Sequence, residues 1–133
     1  MTLKELSQLY YLTREIEEDK KRLAELKARI PGYAGFIQSG MPGGNSRESQ
    51  IERYAAEIAD IEAIIAAKII QCTYERSRLE RYISGIPDSL TRQIFTLRFV
   101  DGLSWDQVAL KIGGGNMPDG VKKRVYRHLK KEK

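Results

Sequence analysis

The chain has 133 residues, a length that suits one domain, or one small domain with an extension, and leaves little room for a large two-layer enzyme core. Apolar residues make up 41% and charged residues 31%, with only four prolines, a balance that argues against disorder and fits an all-α protein. The net charge of +5 sits at one end: residues 1–85 carry thirteen basic and thirteen acidic side chains, whereas 86–133 carry ten and five.

The start, Met1-Thr2-Leu3-Lys4-Glu5-Leu6, has no basic flank followed by a hydrophobic stretch, and no run of eighteen apolar residues occurs. Neither export nor membrane insertion is expected, and the expected setting is cytoplasmic. Thr2-Leu3-Lys4-Glu5 fits a capping box, and Leu9, Ile16, Leu23 and Ile30 recur at intervals of seven. Leu12, Asp19 and Leu26 fill the second seam position, so the spacing predicts one helix over 3–30, about 42 Å long at 1.5 Å per residue.

Residues 31–47 hold five glycines and two prolines without helical period and read as a long loop, with partial disorder expected and Tyr33, Phe36 and Ile37 as the residues that can dock it. From Glu48 the heptad resumes. Ile51, Ile58, Ile65, Cys72, Leu79 and Ile86 take one position, and Tyr54, Ile61, Lys68, Glu75 and Tyr82 the other. This second helix, about 55 Å long, should end near Ser84, before Gly85 and Pro87.

Two striped helices joined by a loop are expected to fold back as a long antiparallel, coiled-coil-like hairpin over residues 1–85. Pairing with a second copy, as a homodimer through the heptad helices, satisfies the same stripes, and sequence leaves the choice open. The polar seam residues Asp19, Lys68 and Glu75 read as a solvated helix edge or, in a dimer, as register-setting groups. Cys72, the single cysteine, belongs to the seam and can form neither an intramolecular disulfide nor a cysteine-rich zinc site.

Residues 86–133 read as a separate small domain. Asp88 caps a helix running through Val100, with Leu90, Ile94 and Leu97 on its apolar face. Ser104-Trp105-Asp106-Gln107 is a second capping box, opening a short helix that Gly113 stops. Asp119 is expected to cap the last helix, over 120–131. Ala109 and Gly113 have the small-residue spacing of a helix-turn-helix, where two helices cross closely and a glycine makes the turn.

In the last helix, 100° per residue puts Val121, Val125 and Leu129 on one side and Lys123, Tyr126, Arg127 and Lys130 on the other. A cationic stripe at one end of a chain calls for a polyanionic partner, of which nucleic acid is the commonest; the alternative is a solvated basic tail.

Leu97-Arg98-Phe99-Val100-Asp101-Gly102-Leu103-Ser104, continuing through Val108-Ala109 to Ile112-Gly113, resembles region four of the sigma-70 family, as does Val121-Lys122-Lys123-Arg124-Val125-Tyr126-Arg127. The resemblance covers about residues 86–131 and implies promoter-type DNA binding. Gly113 to Val121 is two residues longer than the family's usual turn, and Asp119-Gly120 stand where Ser or Thr is usual, placing an acid near the phosphates. The whole layout, with its Ser39-Gly40-Met41-Pro42-Gly43-Gly44 stretch, is similar to phage and prophage proteins of the ArpU/RinA type, which implies control of late transcription.

On this reading the partner is double-stranded DNA, and RNA polymerase is a second candidate. Lys123, Tyr126 and Arg127 meet base edges or flanking phosphates, while Lys122, Arg124, Lys130 and Lys131 hold phosphates. Arg98 and the amino end of the helix at Trp105 clamp the backbone, although a tryptophan at the first turn of such a helix more often packs on the preceding helix than on a sugar. His128 belongs to packing or phosphate contact rather than catalysis.

No catalytic residue, metal site or cofactor is expected. Nucleophile–base pairs are missing, and the glycines at 40, 43 and 44 follow a helix and lack the Lys-Ser/Thr of a P-loop. Two other readings fit the layout: a phage DNA-packaging small terminase subunit, and a coiled-coil adaptor that binds polymerase without DNA.

Overall fold

Regular structure begins where the sequence offers a cap. In the computed structural model, which describes residues 1–30 and 46–132, the described residues are all-helical. The elements are α1 (Leu3–Leu6), α2 (Gln8–Ala28), α3 (Ser46–Ser84), α4 (Ser89–Phe95) continued by a π-helical turn (Thr96–Val100), α5 (Trp105–Ile112) and α6 (Pro118–Lys131). None of these helices is long and apolar enough to cross a membrane. The residues divide into two units, Met1–Thr13 with Gln71–Lys133, and Arg14–Ile70.

In the first unit the Thr2 capping box forms as expected, with Thr2 Oγ1 accepting from the Glu5 amide and Glu5 accepting from the Thr2 amide. The helix expected over 3–30 is interrupted at Ser7, whose hydroxyl donates to the Leu3 carbonyl at 2.9 Å. Back-bonding of this kind competes with regular helical bonding. The seam period extended backwards falls on Glu5, whereas the buried side chain there is Leu6, at 0% exposure. At the far end α2 closes at Ala28 with tight bonds from Arg29 to Leu26 and from Ile30 to Lys27.

Around Leu6 and Leu9 gathers a core of Leu79, Ile83 and Ile86 from the end of α3 and its exit, with Ile94, Phe95, Phe99, Val108, Ala109, Val121 and Val125 from the carboxy-terminal helices. The Phe95 and Phe99 rings lie 5.4 Å apart. Arg92 ties α4 to the exit of α3 by donating to the Ile86 carbonyl at 2.7 Å and the Pro87 carbonyl at 3.0 Å. Cys72 is half-buried against the same core. Arg78 donates to the Glu5 carbonyl at 3.1 Å and pairs with Glu75 at 2.8 Å.

The helix expected from Asp88 through Val100 changes pitch at Thr96. The Asp101 amide bonds the Thr96 carbonyl, five residues back, and the Leu97 carbonyl accepts from Leu103 at 3.1 Å instead. The Thr96 and Leu97 carbonyls at the wider turn are thereby used. Gly102, at φ +72°, reverses the chain, a conformation that costs a glycine little. Ser104 then opens α5 with the expected box, its hydroxyl accepting from the Gln107 amide.

The last helix starts earlier than the sequence reading placed it. Met117 occupies the cap position without a side-chain bond, Pro118 takes the first helical position, and Asp119 lies inside the first turn. Proline prefers that site because its fixed φ is helical and its missing N–H would have no partner there. Asp119 thus offsets the helix dipole rather than capping it.

In the second unit Ile16, Leu26 and Ile30 of the amino-terminal stretch and Ile58, Ile61 and Ile65 of α3 are buried, as the heptad predicts. Lys68 and Asp19 are not the solvated edge one reading of the seam allowed: Lys68 Nζ lies 2.6 Å from Asp19 and 3.6 Å from Glu15. The long lysine stem reaches across the seam, and the pair brings the two charges together at a partly exposed position. The expected loop of 31–47 lies outside the described residues over 31–45, including Tyr33, Phe36, Ile37 and the Ser39–Gly44 stretch. Ser46 and Arg47 belong to α3, a start the apolar period could not reveal because its first member is Ile51.

Candidate nucleic-acid interface

A helix laid on a core divides its side chains between the two sides. Val121 and Val125 of α6 are buried at 1% and 0% exposure, and Leu129 is half-buried against the same core. On the opposite side Lys123, Tyr126, Arg127 and Lys130 are exposed, with Arg124 and Lys131 on the flank. Among the described residues, no carboxylate lies within 4.0 Å of a Lys122, Lys123, Arg127, Lys130 or Lys131 nitrogen. Lys122 instead lies 5.8 Å from the centre of the Tyr126 ring.

Arg124, read from sequence as a phosphate-holding residue, has its Nη1 3.1 Å from Asp88. The same Asp88 oxygen caps α4, accepting from the Thr91 amide at 3.1 Å and the Thr91 hydroxyl at 2.6 Å. Those two Thr91 donors, with the Arg124 charge adding to them, hold the Asp88 carboxyl below its ordinary value.

Arg98 is also engaged within the protein. It is half-buried, its guanidinium lies 4.5 Å from the centre of the Trp105 ring, and it donates to the Leu103 carbonyl at 2.9 Å. Trp105 is half-buried and packs against the core. The structure therefore brings Lys122, Lys123, Tyr126, Arg127, Lys130 and Lys131 onto one helix and pairs Arg98 with Trp105 elsewhere.

His128 sits at the edge of the apolar face with its ring edge-on to Phe95, 5.4 Å between centroids. Its Nε2 is buried and lies 3.3 Å from Glu132, out of line for a hydrogen bond. Glu132 accepts from the Tyr82 hydroxyl and bonds the Met1 amino group at 3.1 Å. Burial raises the Tyr82 pKa, and its bond to Glu132 raises it further.

Sequence reasoning missed Asp88 as a partner of the basic helix. The only signal was its acid character beside a cationic stripe, and its evident role as a helix cap hid the second one. Among the described residues, no group of three or more His, Cys, Asp or Glu side chains is placed to hold a metal ion. No protein-family model, no curated protein and no solved structure matches this chain.

Proposed function

We propose that residues 86–132 form a helix-turn-helix unit that holds double-stranded DNA with the exposed face of α6, and that the chain is a phage-type transcriptional regulator acting in the cytoplasm. The observation that carries this reading is the division of α6. One side is anchored by Val121 and Val125, and the other presents Lys123, Arg127 and Lys130 with no carboxylate partner among the described residues. Cations kept free of internal partners over several turns are available to release counterions from a duplex, and an exposed tyrosine among them adds a flat apolar surface for base edges or sugars.

Helix α5 and the glycine turn at Gly113, φ +68°, supply the second helix and the reversal of such a unit. Asp119 repels phosphate at the first turn, so the contacts that bind fall from Lys123 onward. Helices α2 and α3 form the antiparallel hairpin that carries the unit, a role supported by the Lys68–Asp19 pair and by the buried seam residues of both helices. The resemblance of residues 86–131 to sigma region four supports the same reading.

The test is gel retention of a duplex at moderate salt by the wild type and by Lys123→Glu/Arg127→Glu. Retention by the wild type and its loss in the variant is the expected result, and equal retention by both refutes the placement. An adaptor that binds polymerase without DNA gives no salt-dependent retention at all.

A further inference from the structure

The exposed cations of α6 fall on two flanks. Arg124, Arg127 and Lys131 line a cleft of about 520 Å³ whose other wall includes Pro87, Asp88 and Thr91. Arg124 is paired with Asp88, whereas Arg127 and Lys131 have no carboxylate within 4.0 Å among the described residues. Glu132 also lines the cleft, but its oxygens are engaged by the Tyr82 hydroxyl and the Met1 amino group, and one lies 3.3 Å from His128 Nε2. The cleft thus gathers three cations and two carboxylates, of which Glu132 is engaged with Tyr82 and Met1 and Asp88 is aligned on only one of the cations.

A phosphodiester carries one negative charge on two unbridged oxygens, which is the charge Asp88 supplies to Arg124. The Asp88–Arg124 pair is half-exposed on both sides, 55% and 46%, and pairs of this kind are weak. A phosphate that also meets Arg127 and Lys131 collects stronger charge-assisted bonds than the carboxylate can. We propose that this cleft seats one phosphodiester of the bound duplex, and that Asp88 is a stand-in anion which the phosphate displaces from Arg124. The inference rests on the DNA-binding reading above and adds where one phosphate sits and which residue pairs with Arg124 until it arrives.

Asp88→Asn is the direct test, because asparagine caps a helix as well as aspartate while removing the charge. Affinity for a random-sequence duplex is measured across a range of salt concentrations in wild type, Asp88→Asn, Asp88→Ser as a second neutral cap, Arg124→Gln, and Asp88→Asn/Arg124→Gln. With Asp88 neutral, Arg124 meets the phosphate without first leaving an anion. Both neutral caps should therefore bind about threefold to tenfold tighter at about 0.1 M salt, with a log–log slope close to that of wild type, since the same phosphate is neutralised in each. In the Arg124→Gln background the same substitution should leave the affinity nearly unchanged, since no guanidinium is there to be freed.

Equal or weaker binding by both neutral caps with an unchanged thermal melt overturns the proposal, as does a gain in affinity of the same size that persists without Arg124. Absence of duplex binding by the wild type overturns the DNA reading itself, and this seat with it.

Discussion

The Arg98 guanidinium stacks on the Trp105 ring, 4.5 Å from its centre, while the same side chain bonds the Leu103 carbonyl at 2.9 Å. Arginine is suited to this double use because its planar face can lie on an aromatic ring while its edge donates. The pair fastens the π-helical turn to the first residue of α5.

Arg98→Ala should therefore lower stability by about 1–2 kcal/mol, the sum expected for a lost stack and a lost charge-assisted bond. It should leave the salt dependence of DNA binding unaltered, because the guanidinium is committed within the fold. Denaturant melts and a salt titration check the two halves; a flattened salt slope with unchanged stability would restore Arg98 to the interface.

The Lys68–Asp19 contact gives a second prediction. Removing either partner leaves a charge beside buried isoleucines, so Asp19→Ala and Lys68→Ala should each lower the melting temperature, while Asp19→Leu/Lys68→Leu should recover most of the loss. The Asp19 hydrogen bond holds the lysine above its ordinary value, against a smaller opposing effect of burial. A raised folded-state value means the contribution is complete below 10.5 and fades only as pH rises through the higher folded value. Wild-type stability should accordingly fall in strongly alkaline solution by more than that of the double leucine variant.

Glu132 supplies a prediction at the acid end. Burial works against its charge, but the Tyr82 hydroxyl and the Met1 amino group outweigh that and hold the carboxyl below its ordinary value of 4.5. A depressed folded-state value contributes stability that is present above 4.5 and is lost as pH falls through the lower folded value. Glu132→Gln should flatten this part of the acid limb in urea melts between about pH 5 and pH 2; identical limbs would show that the network contributes nothing to the fold.

Local rules explain what was legible beforehand. The Thr2 and Ser104 capping boxes and the Asp88 cap depend on residues three apart, and the seam at Ile16, Ile58, Ile65 and Leu79 depends on a period, so both could be read directly. The break at Ser7 and the wider turn at Thr96 could not, because each is a choice among near-equal local bonds that packing decides. At α6, the preference of Pro118 for the first helical position prevailed over Asp119 as a cap.

The candidate interface divides the same way. The two faces of α6 follow from 100° per residue, and Val121, Val125, Lys123 and Arg127 lie where that rule puts them. Arg98 and Arg124 looked equally available in sequence, yet one is stacked on Trp105 and the other is paired with Asp88, thirty-six positions away. Charge counts alone do not reveal such internal partners.

The central claim is tested most directly by the slope of log affinity against log salt for a duplex, measured on wild type and on Lys123→Glu/Arg127→Glu. The account predicts a linear fall for wild type with a slope of about −3 or steeper, at about 0.9 per phosphate neutralised, and a slope shallower by about two in the variant. Identical slopes for the two proteins, or no measurable affinity for wild type at about 50 mM salt, would contradict it.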